Sequence, residues 1–150
     1  MKALAQRAGH AATLAGIAFM KGLAYLPLPV VRALGTALGW VLYVLIGARR
    51  RVVHASFRVC FPELSNAERH KLALKTFVYF SQAWLDRAWL WHAPKPWVQQ
   101  RVRLTGAVEE LAGNEPTVIF LPHFVGLDAA WAATALAMPR PSTTIYTDQS

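Results

Sequence analysis

Residues 117–128 read TVIFLPHFVGLD, and the reading of this stretch decides the expected fold. TVIFL, residues 117–121, is β-branched and apolar, the composition of a buried strand. Residues 126–138, GLDAAWAATALAM, read as a helix stopped by Pro139. Residues 143–146 form a second candidate strand. Strand, helix and strand in this order predict an α/β fold. His123 then stands at the carboxyl end of a strand, where α/β proteins place ligand sites.

His123 and Asp128 are five positions apart. In a regular helix such residues point about 140° apart. They meet only if the histidine lies in the turn before the helix and the aspartate in its first turn, which is the local pattern here. A neutral imidazole can take a proton from a hydroxyl. A carboxylate on its other ring nitrogen holds the tautomer and stabilises the imidazolium. General base catalysis of this kind is worth about 10²–10⁴-fold. Pro122, Phe124 and Leu127 flank the pair, with no serine or cysteine nucleophile. A bound hydroxyl is therefore the expected nucleophile, attacking an activated acyl carbonyl with no covalent enzyme intermediate. The competing reading is a structural histidine at a helix cap. Of the five histidines only His123 has an acidic residue five positions on. His10, His54, His70 and His92 are weaker candidates, and no spacing suits a metal.

Upstream, Ser65 and Glu68 have the capping-box spacing, which predicts a helix over about residues 66–91. Leu72, Leu74, Phe77, Phe80, Trp84, Leu85, Ala88 and Trp89 give it a wide apolar face, ended by Pro94 and Pro96. Its tryptophans read as core, with an acyl groove or a lipid interface as the alternative. Residues 102–104 alternate and predict a short strand, and a short helix begins at Gly106.

Nearer the N-terminus lie two apolar stretches. Residues 11–31 carry one charge, Lys21, and residues 33–48 carry none. Pro27 and Pro29 separate them. A bilayer core takes about 20 apolar residues, and the second stretch, 16 residues, reaches only about 24 Å. In the first, Lys21 costs roughly 2.5–3.5 kcal/mol but can snorkel. The expectation is a single anchor near residues 9–28, with the second stretch at the interface. Residues 1–48 would be the membrane part and residues 49–150 the catalytic part. A cleaved signal peptide competes, but no small-x-small site precedes Lys21.

Composition agrees with a membrane-associated segment joined to a globular one. Hydrophobic residues make up 55% and charged residues 16%, which excludes a disordered chain. The net charge of +8 suits anionic lipid, an acidic protein or nucleic acid. Arg49, Arg50 and Arg51 directly follow the apolar stretch, which favours lipid over nucleic acid and predicts a cytoplasmic remainder. Each such charge gains about 1 kcal/mol near an anionic leaflet. The lone cysteine, Cys60, reads as a small buried hydrophobe.

Three blocks together resemble the lipid A biosynthesis lauroyl/myristoyl acyltransferase family of Gram-negative bacteria. They are LPLPVVRALGTALGWVLY at residues 26–43, RRRVVHASFRVCFPELSNAERHKLALKTF at residues 49–77, and FLPHFVGLD at residues 120–128. The last matches the family's His-x4-Asp motif, and IYTDQS at residues 145–150 takes the place of its substrate-side strand and loop. The resemblance implies a membrane anchor followed by a glycerolipid-acyltransferase-like α/β domain at the cytoplasmic face of the inner membrane. It implies transfer of a fatty acyl chain from acyl carrier protein to a hydroxyl of a phosphorylated, Kdo-bearing lipid A precursor. His123 would be the base and Asp128 its orienting partner. Arg49, Arg50, Arg51 and Tyr146 would bind substrate, beside anionic membrane lipids. No metal or organic cofactor is implied. Ala55-Ser56-Phe57 departs from the family's usual asparagine-leucine, and its later arginine, glycine and acidic motifs have no counterpart. The chain is therefore expected to hold the N-terminal part of an incomplete domain. The alternatives are a lysophospholipid acyltransferase and a non-catalytic, membrane-anchored lipid-binding protein.

Overall fold

The structure is a computed structural model that describes residues 2–106, 108–113, 115–138, 141 and 143, with the side chains of residues 2–8, 111 and 112 left aside. The regular elements of the described residues are all helical: α1 (Lys2–Ala24), α2 (Leu28–Leu45), α3 (Gly47–Cys60), α4 (Asn66–His92), α5 (Lys95–Arg101), a 3-10 turn (Val108–Ala112) and α6 (Leu127–Ala137). Packing divides the chain into two compact units, Met1–Ala93 and Pro94–Ser150.

Proline sets the α1–α2 boundary, but not as a simple break. The chain leaves α1 through a tight turn, with Leu26 N–H on Leu23 O at 3.1 Å. Pro27 is the N-cap of α2. Pro29 lies inside its first turn, where a missing N–H is no loss. The second apolar stretch therefore gains residues and reaches 18, roughly 27 Å. Among the described residues α2 is the one helix long and apolar enough to cross a membrane. By length and composition the candidate span is thus Leu28–Leu45, not residues 9–28 as expected.

Charged side chains close the ends of α2 and α3. Arg50 Nη1 donates to the carbonyls of Tyr43 at 2.8 Å and Val44 at 3.4 Å. Arg69 donates to those of Phe61 at 3.1 Å and Pro62 at 3.3 Å. Each arginine satisfies carbonyls that a helix end leaves without intrahelical donors. Cys60, in the last turn of α3, is exposed rather than buried.

The capping box opens α4 as the spacing requires. Glu68 N–H donates to Ser65 Oγ at 3.3 Å, and Ser65 N–H donates to Glu68 Oε2 at 2.8 Å. The Ser65 hydroxyl also donates to Glu68 Oε2 at 2.7 Å, and this bond first, then that from Ser65 N–H, holds the Glu68 carboxyl below its ordinary value. Ser65→Ala is expected to lower stability by about 1 kcal/mol, read by thermal unfolding under circular dichroism. An unchanged melting curve would mean that packing alone sets this helix start.

Helix α4 is the spine of the first unit and packs against α1, α2 and α3. Its contact face is built from small residues, with Ala73, Ser81 and Ala88 almost wholly buried. Opposite them on α2 lie Gly35 and Gly39. A Cβ on Gly39 would fall 2.5 Å from Val78 Cα, and one on Gly35 would fall 2.8 Å from Gln82 Cα. The backbones are closer than any side chain allows. Leu23, Val31, Leu85 and Ala88 form the core at one end of this contact. Beside it Arg32 pairs with Asp86 at 2.9 Å, and Asp86 accepts from Trp89 Nε1 at 3.0 Å. Of the α4 tryptophans Trp89 is buried, whereas Trp84 and Trp91 are exposed.

In the second unit Pro94 caps α5, and α5 packs on α6 around the buried Val98, Ala133 and Thr134. The α/β expectation fails here. Residues 116–122 carry no regular secondary structure, and Val118 and Phe120 are 96% and 84% exposed. Residues 102–104 are likewise unpaired. A strand exists only through hydrogen bonds to a second strand, and apolar composition does not supply one. No strand occurs among the described residues. The candidate strand at residues 143–146 lies outside them, apart from Thr143.

Candidate functional site

The His123–Asp128 segment enters α6 through a glycine turn. Gly126 is the N-cap with φ 100°, a region that L side chains rarely adopt. Leu127 N–H reaches Phe124 O at 3.2 Å, and Ala130 N–H reaches Gly126 O at 3.0 Å. His123 is exposed in the bend before this turn, and Asp128 is half-buried in the first turn of α6. Both sit at the N-terminal end of α6, one before it and one within it. Asp128 also meets the positive end of the helix dipole, a stabilising place for a carboxylate. Phe124 and Val125 beside His123 are about half exposed. In the same unit Val98, Val102, Leu104, Val108, Ala133 and Leu136 line an apolar pocket of about 250 Å³.

The basic stretch divides in the structure. Arg50 and Arg51 line a cleft of about 260 Å³ with His54, Arg58, Asn66, Arg69 and His70, and Arg49 does not. Arg50, His54 and Arg58 are four apart on α3 and so share one helix face. The opposite wall is the start of α4. The His54 and His70 rings lie 4.3 Å apart, and His54 Nε2 is 3.3 Å from Tyr43 Oη. Sequence reading set His54 and His70 aside. The signal was present in the spacing of Arg50, His54 and Arg58, but the second wall comes from another helix. Tyr146 lies outside the described residues.

Burial pushes the His54 imidazole below its ordinary value, and the charges of His70, Arg50 and Arg58 push the same way. Arg51 from α3, Arg69 from α4 and the Tyr43 hydroxyl from α2 complete its surroundings. The folded chain therefore binds this proton less tightly than the unfolded chain. Its contribution is complete above the unfolded value of 6.5 and is lost as pH falls through the lowered folded value. The melting temperature should drop from about pH 7.5 to about pH 5, and His54→Asn should flatten that drop. An unaltered pH profile in the variant would contradict this assignment.

Comparison with known proteins places the chain. It matches the family described as bacterial lipid A biosynthesis acyltransferase over residues 3–150. The chain belongs to this family. It is 25% identical to the lipid A biosynthesis lauroyltransferase of Escherichia coli K12 over 134 residues, 87% of this chain and 43% of that protein. It is 26% identical to the palmitoleoyltransferase of the same organism over 125 residues, 79% of this chain and 40% of that protein. A lipid A biosynthesis acyltransferase of Haemophilus influenzae is 24% identical over 138 residues, 87% of this chain and 42% of that protein. The chain thus spans about two fifths of the length of these curated relatives. No solved structure matches it.

Proposed function

We propose that this chain serves in acyl transfer from acyl carrier protein to a hydroxyl of a Kdo-bearing lipid A precursor. His123 is the general base and Asp128 its orienting partner. The observation that carries this reading is the family match over residues 3–150, which includes His123 and Asp128 at the N-terminal end of α6. His123 takes the proton of the acceptor hydroxyl as its oxygen attacks the thioester carbonyl. The tetrahedral intermediate collapses with cleavage of the carbon–sulfur bond. The imidazolium then returns its proton to the departing thiolate. Asp128 holds the productive tautomer and offsets the positive charge.

In this reading residues 1–48 hold the chain at the membrane and residues 49–150 belong to the catalytic part. Helix α2 is the span, supported by the exposed Leu34, Trp40, Val41, Val44 and Leu45 along it. Arg49, Arg50 and Arg51 follow it and keep the remainder on the cytoplasmic side of the inner membrane. They face anionic headgroups and the phosphates of the acceptor, and Tyr146 contributes to substrate binding. The net charge of +8 suits both the acidic carrier protein and a phosphorylated lipid.

Deleting the gene and reading lipid A by mass spectrometry tests the proposal. A species short of one acyl chain, restored by complementation, is the expected result. Unchanged lipid A with altered glycerophospholipid acylation would replace this reading with a lysophospholipid acyltransferase.

A further inference from the structure

We propose that the cleft between α3 and the first turns of α4 is a binding site for a phosphate monoester group. The inference shares Arg50 and Arg51 with the functional reading above, but it stands or falls independently of acyl transfer.

Four arginines, two histidines and one asparagine line the cleft, and no acidic side chain does. Every lining side chain can donate a hydrogen bond at neutral pH. Arg51 and Arg58 have no acidic partner among the described residues. Arg50 and Arg69 are held by backbone carbonyls, which fixes their positions before any ligand arrives. Arg69 Nη2 is also held by Asn66 Oδ1 at 3.0 Å. Their capping roles explain those two arginines. They do not explain Arg51, Arg58 and the close His54–His70 pair in the same hollow.

The charge arrangement is unfavourable when empty, because like charges converge and the nearby Glu68 offsets Arg69 alone among them. A phosphate dianion reverses that balance. It accepts from several donors at once and favours the charged form of both imidazoles. The cleft has room for a phosphate group and several waters, each taking about 30 Å³. The cleft begins five residues beyond Leu45, the end of the candidate span, so a lipid phosphate at the membrane surface is one source. Free inorganic phosphate has the same chemistry and is the other.

The chain in phosphatidylcholine nanodiscs, with nitrogen-15-labelled histidine, tests the site and its source. One arm replaces part of the lipid with phosphatidic acid, a phosphomonoester. A second uses phosphatidylglycerol, a diester. A third adds inorganic phosphate. Phosphatidic acid or inorganic phosphate should move the His54 and His70 resonances toward imidazolium, saturably. The arm that acts at lower concentration identifies the source. Arg51→Gln and Arg58→Gln should each weaken the response about tenfold. Lys75→Gln, exposed on α4 and outside the cleft, should leave it within about twofold. Circular dichroism verifies helix content, and Arg51→Gln serves if Arg58→Gln does not fold. Three outcomes overturn the proposal: no response in the first and third arms, an equal response to phosphatidylglycerol, or equal weakening by Lys75→Gln and Arg51→Gln.

Discussion

His123→Ala in the complete gene product should lower the rate of acyl transfer by about 10²–10⁴-fold. The side chain is exposed in the bend before α6, so its removal leaves no cavity. Circular dichroism and the melting temperature should therefore match the parent. The rate is measured with acyl-loaded carrier protein and a lipid acceptor. On the proposed mechanism the loss should fall on kcat, because there the imidazole acts as the proton moves and not in ground-state binding. Asp128→Asn separates the two readings of the aspartate. As orienting partner of His123, its loss slows transfer strongly. As a carboxylate stabilising the N-terminus of α6, its loss costs about 0.3–1 kcal/mol of stability and leaves the rate intact. A His123→Ala protein that transfers acyl groups at the parent rate would remove the proposed mechanism.

Gly39→Val should produce the largest loss of stability in the first unit, about 3 kcal/mol or more. The nearest atoms to the new Cβ are Val78 Cα at 2.5 Å, Val78 N at 2.8 Å and Phe77 C at 3.0 Å. All are backbone, and no rotamer change moves them. The two helices must separate, opening the face lined by Ala73, Ser81 and Ala88. Gly39→Ala introduces the same Cβ but gains about 1 kcal/mol of helix propensity, so its loss should be smaller. Gly22 is the control, because a Cβ there meets nothing within 4 Å. Gly22→Ala should leave the melting temperature unchanged or raise it. Thermal unfolding in a mild detergent reads all three. A Gly39→Val protein that melts with the parent would show that α2 and α4 do not pack as closely as the structure has them.

Some features were legible because their causes are local. Ser65 and Glu68 sit three apart and predict the start of α4, and the cap forms between those two residues. The α6 helix and the turn carrying His123 follow from a glycine and a short periodic run. Other features depended on neighbours distant in sequence. TVIFL has strand composition, yet residues 116–122 are unpaired. Gly35 and Gly39 have the spacing of close helix packing, but their partners, Gln82 and Val78, lie 47 and 39 residues on. Asp86 breaks an apolar run, and its partner Arg32 is on α2.

The sequence by itself determined the local elements of this protein: where proline and a capping box divide the helices, and where His123 and Asp128 stand about the start of α6. These depend on hydrogen bonds and torsions within a few residues. Only the tertiary structure decided that the regular elements of the described residues are all helices and that Arg50, Arg51 and Arg58 face His70 across a cleft. The position of the candidate span, Leu28–Leu45, turned on a local feature, Pro29 accepted within the first turn of α2. The helical fold and the cleft depend on which segments meet, and a pairing between distant segments leaves little trace in either one alone.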